Sequence, residues 1–319
     1  MSQPQPQPKR PAGPKRTANL QAVAYNTKHL PALVAQRTDI DTAASVCYTP
    51  QTALPPLDPA KSPRHPLSTV SVWNDDTVTA ALRLDAIVHQ ARADIAAAPA
   101  SAAHQPAPGP RVAIVNFANA MTPGGGYIGG ATAQEEAICY RSSLYFSLQR
   151  ASYPWASEHV LYTRDVLVHR GDSRVGMPLL MDLDPKMTVH DLPVISAVSV
   201  AAEINPMQNS LKGAPGESGH RIPKAQVFAK AEDRDLYKTK VRMVLRAMGH
   251  NGHSALILGA LGCGVFANPA HDAALCWREV LEEKEFRGWF SHVWFAIMGD
   301  VGANSNFHIF SEYLAGIYV

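Results

Sequence analysis

The stretch RVAIVNFANAMTPGGGYIGGATAQEEAICYRSSLYFSLQR, residues 111–150, decides the fold because it joins a strand, a glycine-rich loop and a helix. Residues 112–115 form a short apolar run rich in β-branched residues, which predicts a buried strand. Five glycines follow, where backbone without a Cβ can lie against a ligand. Apolar residues then recur every three or four positions, which predicts a helix from near Ala131, with two glutamates in its first turns. This arrangement is typical of a site for an anionic ligand.

Composition and charge restrict the class of protein. The chain has 319 residues, of which 46% are hydrophobic, so it can build a sizeable core. A formal net charge of +2 is too small to indicate nucleic-acid binding. Four widely spaced cysteines without a CxxC pair are typical of reduced thiols, and we find neither a membrane-spanning run nor a secretory signal. We therefore expect an intracellular globular protein, cytoplasmic or nuclear.

The N-terminal part of the chain predicts a tail followed by accessory elements. Residues 1–17 are rich in Pro and Gln and carry two pairs of basic residues. We interpret them as a disordered basic tail, since they contain too little apolar surface to fold, with a nuclear-import signal as the alternative. Apolar spacing predicts a helix over residues 19–36. Six prolines in residues 49–66 indicate an extended connector.

Strand-like and helix-like segments alternate through the rest of the chain. The patterns predict strands over residues 69–73, 112–115, 159–162, 165–169, 194–200, 254–258 and 292–298. They predict helices over residues 77–97, 131–148, 229–248 and 271–285, and a last one up to about 316. We interpret residues 98–110 as a Pro/Ala loop, and residues 205–224 as a mobile surface loop because they lack the ending of a P-loop. Alternation without internal repeats predicts an α/β sandwich around a mostly buried sheet.

We expect one domain over residues 18–319. Residues 18–67 would supply accessory N-terminal helices and the connector, and residues 68–319 would form the core.

A second glycine-rich loop, GALGCGVFANP at residues 259–269, lies between a predicted strand and a predicted helix. Its glycines again provide backbone that can approach a ligand closely, and Val265 and Phe266 add an apolar edge. One such loop is a common packing device, and Cys263 is more typical of a small buried residue than of a nucleophile. Two such loops in one domain favour phosphate binding.

The order of these motifs resembles the microbial-type poly(ADP-ribose) glycohydrolases, a branch of the macrodomain superfamily. The shared features are VNFAN after a strand, then GGG, seven residues and QEE, and a distant G-x-x-G-x-G-x-F loop, here GALGCGVF. The resemblance covers the chain from about residue 16 to its end. It implies a macrodomain-like three-layer α/β/α sandwich with a mixed sheet, and hydrolysis of ribose–ribose bonds in poly(ADP-ribose) with release of ADP-ribose.

The resemblance also implies a role for each motif residue. Glu136 is implied to be the catalytic acid/base, Glu135 to hold a ribose hydroxyl of the penultimate unit, and Gln134 to support the loop. Asn119 would bond the distal ribose, and Phe266 would pack against the terminal ribose. The remaining implied contacts are Gly124, Gly125 and Gly126 to the distal ribose, Gly262, Cys263, Gly264 and Val265 to the diphosphate, and Asp76 or, in competition with it, Asp75 to the adenine.

Simpler interpretations of the same residues stand beside these roles. Acidic residues in a first helical turn satisfy the helix dipole, and Asn119 is a common turn residue. An Asx pair at a strand end, here Asp75 and Asp76, is most often a helix N-cap. Phe266 fits a core position as well.

Two other functions fit the same motifs. One is removal of single ADP-ribose units from protein or nucleic acid, and the other is ADP-ribose binding without turnover, which needs neither glutamate. For the implied hydrolysis we expect no metal or other cofactor. The expected partners are poly(ADP-ribose) or ADP-ribosylated protein as substrate and ADP-ribose as product. We expect no membrane association, no direct nucleic-acid binding and action as a monomer.

Overall fold

The computed structural model describes residues 13–52, 54–97, 111–215 and 221–319. The predictions for residues 1–12 of the tail, for the loop at 98–110 and for residues 216–220 lie outside these ranges. Within them, no helix is long and apolar enough to cross a membrane.

Helices and strands alternate along the chain. The helices are α1 (Pro14–Val34), α2 (Thr77–Ala97), α3 (Gln134–Arg141), α4 (Leu144–Ser147), α5 (Leu180–Leu183), α6 (Ala231–His250), α7 (Ala270–Leu281) and α8 (Asn306–Leu314). The strands are β1 (Val46–Tyr48), β2 (Ser71–Trp73), β3 (Val112–Phe117), β4 (Val160–Leu167), β5 (Val194–Val200), β6 (Gln208–Pro215), β7 (Arg221–Phe228), β8 (Ala255–Leu258) and β9 (His292–Ala296).

Seven strands form one mixed sheet in the order β1-β4-β5-β3-β8-β9-β2. The five strands β5, β3, β8, β9 and β2 are parallel, and β4 runs antiparallel to its neighbours β5 and β1. Strands β3 and β8 are almost entirely buried and apolar, as expected for parallel strands covered on both faces. Because the five strands are parallel, their carboxyl ends lie at one edge of the sheet.

Helices cover both faces of the sheet, which confirms the predicted three-layer α/β/α sandwich. Helices α2 and α3 pack on one face through residues such as Leu84 and Ile138. Helices α6, α7 and α8 pack on the other face through residues such as Trp277 and Phe310. Helix α1 lies against α3 and adds Ala22 to the first of these two cores. The accessory helix is therefore attached to the element that carries the two glutamates.

Helix α1 begins at Pro14, so residues 14–17, which we predicted to be part of a disordered tail, are helical. Proline is favourable at a first helical position because the N–H group it lacks has no partner there. Contacts distant in sequence also hold this turn, since Arg16 Nε donates to Gly129 O and Asn19 Nδ2 donates to Gly130 O. Apolar periodicity does not reveal such contacts.

The predicted long helix after QEE is interrupted. Helix α3 ends at Arg141, and Ser142 is extended and bridges to Val168 before α4 begins. The two predicted strands near residues 159–169 are instead one strand, β4, with an irregular register between Thr163 and Val166. Both departures arise from pairing with a neighbouring strand, which the local sequence does not specify.

Part of the predicted mobile loop at residues 205–224 is ordered. Strands β6 and β7 pair in an antiparallel two-stranded ribbon from Gln208 to Phe228. The ribbon contacts the second glycine-rich loop, because Gln208 Nε2 donates to Ala267 O. Just before the ribbon, Asn205 N–H donates to Phe266 O at 2.9 Å. The prediction of a loop here was wrong because the glycines and polar residues masked the strand pattern.

Candidate active site

A cavity of about 630 Å³ opens where the parallel strands end. Its wall contains residues that follow or end β2, β3, β5, β8 and β9, which is the edge of an open α/β sheet where ligands bind. The volume is in the usual range for a small-molecule site. The cavity therefore brings the two glycine-rich stretches and the Asp75–Asp76 turn to one place.

The cavity wall contains most of the residues expected to bind ligand. The predicted residues in the wall are Asp76, Asn119, Gln134, Glu135, Glu136, Gly262, Gly264, Val265 and Phe266, together with the alternative Asp75. Gly124, Gly125, Gly126 and Cys263 are not in it. Sequence reasoning missed Thr77, Val78, Phe117, Ala118, Ala131, Thr132, Ala133, Ala137, Ile138, Ala202, Ala260, Ala296, Ile297, Met298 and Asn306. Many of these follow directly from strand ends, a signal that was present in the predicted strands.

Gln134 fastens the start of α3 to the end of β3. Its Oε1 accepts the N–H of Phe117 at 2.7 Å, and its Nε2 donates to Val115 O at 2.8 Å and to Thr77 Oγ1 at 3.0 Å. These bonds satisfy backbone groups just where the β3 ladder stops. Gln134 thereby fixes the start of α3 relative to the end of β3, and with it the positions of the two glutamates that follow.

Glu135 accepts two hydrogen bonds and is only 2% exposed. Its Oε2 accepts the N–H of Asn119 at 2.8 Å, and its Oε1 accepts from Asn116 Nδ2 at 3.4 Å. Burial raises the pKa of Glu135 to about 8, and the charge of Glu136 adds to this, while the bonds from Asn119, Asn116 and Gly124 oppose it. Glu135 is thus mainly protonated at neutral pH.

Glu136 has one fixed oxygen and one free oxygen. Its Oε1 accepts the N–H of Gly126 at 2.7 Å. Its Oε2 is buried and has no hydrogen-bond partner among the described residues, although Glu136 lies in the cavity wall. A buried carboxylate oxygen without a partner is costly unless a ligand or water supplies the missing contact.

The GGG segment lies behind the glutamates and contacts them directly. A Cβ added at Gly125, where φ is +55°, would lie 2.6 Å from Glu136 Oε1 and 3.2 Å from Glu135 Oε2. These glycines allow bare backbone to approach the two carboxyl groups closely, and Gly126 supplies an N–H donor to Glu136. Their contact with the ribose stays a prediction.

Two asparagines of VNFAN support this arrangement. Asn119 forms a turn, since its Oδ1 accepts the N–H groups of Met121 and Thr122 at 2.8 and 3.0 Å. Its Nδ2 has no partner within the described part of the chain, so this donor is available at the cavity wall. Asn116, which sequence reasoning did not select, bonds both Glu135 and Ser199 Oγ, at 3.0 Å for the latter.

The second glycine-rich loop is open. Gly262 has φ of +72°, and Asn268 braces the loop by donating from Nδ2 to Gly262 O at 3.2 Å and to Phe266 O at 3.3 Å. The N–H groups of three successive residues, Gly264, Val265 and Phe266, have no hydrogen-bond partner among residues that the structure describes. Successive free N–H groups in a loop form an anion-binding concavity.

Cys263 contributes backbone rather than a thiol to this loop. Its Sγ points to Leu261 O at 3.5 Å, and burial raises the pKa of the thiol far above its usual range. Asn306, at the start of α8, holds the loop from outside by donating to Cys263 O at 3.0 Å. A thiol with a raised pKa is rarely ionised, so this environment does not favour a nucleophile.

The two aspartates of the cavity wall form ion pairs with arginines. Asp76 caps α2, since it accepts the N–H and the hydroxyl of Thr79 at 2.9 and 2.7 Å, and it pairs with Arg141, which is 1% exposed. Asp75 pairs with Arg83 at 3.2 Å and Arg174 at 3.0 Å. The capping interpretation therefore applies to Asp76, and both aspartates line the cavity.

The cavity carries acidic groups but no basic ones. Among its wall residues in the described ranges there are four carboxylates and no Lys, Arg or His. An anionic ligand would therefore depend on backbone N–H groups and helix ends. No three His, Cys, Asp or Glu side chains of the described residues come together as a metal ligand set.

Comparisons with known proteins agree with the motifs. The family profile for the catalytic domain of microbial-type poly(ADP-ribose) glycohydrolase (PARG) matches residues 17–171. The chain is similar to the PARG structure from Thermomonospora curvata, with 25% identity, coverage of 93% of this chain and 98% of that one, and a TM-score of 0.66. The same enzyme bound to the inhibitor ADP-HPD gives 25% identity, the same coverage and a TM-score of 0.63.

A PARG from a second organism is also similar. The structure from Deinococcus radiodurans in complex with ADP-ribose has 25% identity, covers 90% of this chain and 98% of that one, and gives a TM-score of 0.59. No curated protein matches the chain.

Proposed function

We propose that this chain, which belongs to the microbial-type poly(ADP-ribose) glycohydrolase family, hydrolyses ribose–ribose O-glycosidic bonds in poly(ADP-ribose) and releases ADP-ribose. The observation that carries the proposal is Glu136, a residue of the cavity wall whose Oε1 is fixed by Gly126 N–H and whose Oε2 has no partner among the described residues. A proton donor held at one oxygen and free at the other is what cleavage of a glycosidic bond requires.

In the proposed reaction, Glu136 delivers its proton from Oε2 to the oxygen that joins the two riboses. The C–O bond then breaks through an oxocarbenium-like state, and the protonated oxygen leaves with the remaining polymer. Glu136, now a carboxylate, accepts a proton from the water that attacks the ribose carbon, which restores the enzyme. The N–H of Gly126 holds Oε1 through both steps.

Glu135, Asn119 and Gln134 place the sugar in this proposal. A mainly protonated Glu135 both accepts and donates hydrogen bonds, so it suits a ribose hydroxyl of the penultimate unit. The free Nδ2 of Asn119 suits the distal ribose. Gln134 fixes the position of α3 relative to β3 through its three hydrogen bonds to Phe117, Val115 and Thr77.

The second loop binds the diphosphate in this proposal. The free N–H groups of Gly264, Val265 and Phe266 suit an anion in a wall that has no basic side chain. The Phe266 ring, which is half-buried at the cavity wall, would pack against the terminal ribose. Asp75 or Asp76 would contact the adenine. We further propose that the protein acts as a monomer inside the cell, which gel filtration and fractionation would test.

The test is release of labelled ADP-ribose from poly(ADP-ribose) by the wild type and by Glu136→Gln. We expect the wild type to be active and the variant to lose about 10²- to 10⁴-fold in kcat, because the general acid is gone. The Kd for ADP-ribose should be retained, and Glu282→Gln, at an exposed glutamate, should behave as the wild type.

An inactive wild type, or a Glu136→Gln variant with full activity, would overturn the proposal. A parallel assay with protein that carries single ADP-ribose units separates this activity from a mono-ADP-ribosyl hydrolase. Faster release from that substrate than from the polymer would favour the alternative.

A further inference from the structure

We propose that Asn26 of the accessory helix α1 is a positioning residue that holds Glu136 in its productive place. The proposal rests on the function assigned above, because Glu136 is the group whose position is at issue. Asn26 lies outside the cavity wall and is 2% exposed. Its side chain lies between α1 and the segment that carries both glutamates.

Every polar atom of the Asn26 side chain is used. Its Nδ2 donates toward three oxygens, the hydroxyl of Tyr127 at 3.2 Å, Cys139 O at 3.1 Å and Tyr140 O at 3.2 Å. Its Oδ1 lies 2.9 Å from His169 Nε2. Because three acceptors face the amide nitrogen, the amide has one consistent orientation, in which Nε2–H of His169 donates to Oδ1.

His169 keeps this orientation over a wide pH range. Burial lowers the pKa of His169 to about 3, and the neighbouring Arg170 adds to the effect. The ring is therefore neutral at physiological pH, with its proton on Nε2 where Asn26 needs a donor. The bond between His169 and Asn26 does not depend on a charge.

Asn26 completes the carboxyl end of a short helix. Helix α3 has eight residues, and Cys139 O and Tyr140 O are among the last carbonyls that have no partner within a helix. A helix of two turns is not stable alone. Gln134 holds its first turn against β3, and Asn26 holds its last turn from α1. The two contacts together fix the helix on which Glu136 stands.

The same contacts extend to the donor that binds Glu136. The hydroxyl of Tyr140 donates to Ala131 O at 2.8 Å, and Ala131 N–H donates to Gly126 O at 3.2 Å. Tyr127, the other side chain bonded by Asn26, follows Gly126 directly. The N–H of Gly126 is the group that fixes Glu136 Oε1. Asn26 therefore holds both partners of this bond, the helix that carries Glu136 and the turn that carries Gly126.

The test is Asn26→Asp, which has the same shape but removes both N–H donors. A carboxylate would then face three oxygens, so α3 and the turn should separate slightly. We expect kcat on poly(ADP-ribose) to fall about 10- to 100-fold, because small displacements of a catalytic group have effects of this size. The Kd for ADP-ribose should not change, since the second loop lies on another part of the cavity wall.

The matched control is Asn251→Asp. Asn251 Nδ2 also bonds a carbonyl, Ala247 O at 2.7 Å, and a tyrosine hydroxyl, Tyr48 at 3.3 Å, but it follows α6 and precedes β8, at the opposite edge of the sheet. We expect it to lower the melting temperature and leave kcat unchanged. A fall of kcat in both variants would show a general loss of stability and would overturn the inference.

A milder variant, Tyr140→Phe, removes a single hydroxyl. If Asn26 acts through this network, the losses in kcat of Tyr140→Phe and Asn26→Asp should be less than multiplicative in the double variant. Multiplicative losses in the double variant, or a wild-type kcat in Asn26→Asp, would overturn the role of Asn26. The proposed function stays intact in either case, as long as the wild type is active. An inactive wild type would instead remove the proposed function.

Discussion

The two glycine-rich loops of this protein look alike in sequence, but the hydrogen-bond partners of their N–H groups differ. In the first, around GGG, Gly126 N–H donates to Glu136 Oε1 at 2.7 Å, and Asn119 N–H, just before GGG, donates to Glu135 Oε2 at 2.8 Å. In the second, the N–H groups of Gly264 to Phe266 have no partner among the described residues, and the Val265 side chain is 85% exposed. The first loop already contacts acidic side chains of the same chain, and the second is open to an anion from outside.

A glycine-rich turn therefore indicates that another group lies close to the backbone, but it does not indicate which group this is. In the first loop the approaching group is an acidic side chain of the same chain, and the gain is a fixed orientation of a catalytic carboxylate. In the second loop the approaching group is a ligand in our proposal. A change in the first loop should therefore affect mainly kcat, and a change in the second should affect mainly ligand affinity.

Among changes in the two loops, the largest effect is expected for Gly125→Ala. The new Cβ would overlap Glu136 Oε1 at 2.6 Å, and the backbone at φ of +55° is unfavourable for alanine. We expect kcat on poly(ADP-ribose) to fall about 10²-fold with smaller effects on the Kd for ADP-ribose. Gly129→Ala is the control, since a Cβ there meets nothing within 4 Å. Equal losses in both variants would contradict a specific contact between Gly125 and Glu136.

A smaller effect, on affinity, is expected for Gly262→Ala. Its Cβ would lie 2.5 Å from Asn268 Nδ2 and 2.6 Å from Ala202 Cβ, so the loop must move. We expect calorimetry to show ADP-ribose binding weakened about tenfold, as for the loss of one hydrogen bond to a charged group. Gly252→Ala has similar strain at φ of +77° with open space around it. This control should lower stability and keep the affinity for ADP-ribose. A loss of affinity in the control would contradict a specific role of the Gly262 loop in binding.

The last prediction concerns stability instead of activity, at the buried carboxyl group of Glu135 beside the first loop. The pKa of Glu135 is about 8 in the folded protein and 4.5 for a free glutamate, so the folded state binds one proton more between these values. Stability therefore falls as pH rises from 4.5 to 8 and is constant above, as far as this group is concerned. Glu135→Gln removes this loss, so its melting temperature should exceed that of the wild type increasingly over this range.

For a chain of this size, the melting temperature should rise by roughly 2–4 °C for each kcal/mol gained in the free energy of unfolding. Scanning calorimetry from pH 4 to 9 measures this rise. The control Glu282→Gln, at an exposed glutamate, should show no such widening. A difference between Glu135→Gln and wild type that stays constant with pH would show that Glu135 is ionised at neutral pH.

Much of the site was predictable because its residues are close in sequence to strand ends. Asn119, Gln134, Glu135 and Glu136 follow β3, and residues 262–266 follow β8, so a parallel sheet brings them together. Asn306 carries no such signal, since it stands at the start of α8, where a polar residue has many uses. Asn26 is farther still, 101 positions from Tyr127.

The sequence by itself determined the alternation of strands and helices, the two glycine-rich loops and the acidic pair, because periodicity and backbone freedom are local properties. Tertiary structure alone decided which N–H groups donate to the glutamates and which remain without a partner among the described residues. It also decided where the helix after QEE ends, and that α1 contacts this helix through Asn26. The reason is physical. Hydrogen bonds between distant segments depend on how the layers pack, and a carboxylate takes whichever donors that packing brings within about 3 Å.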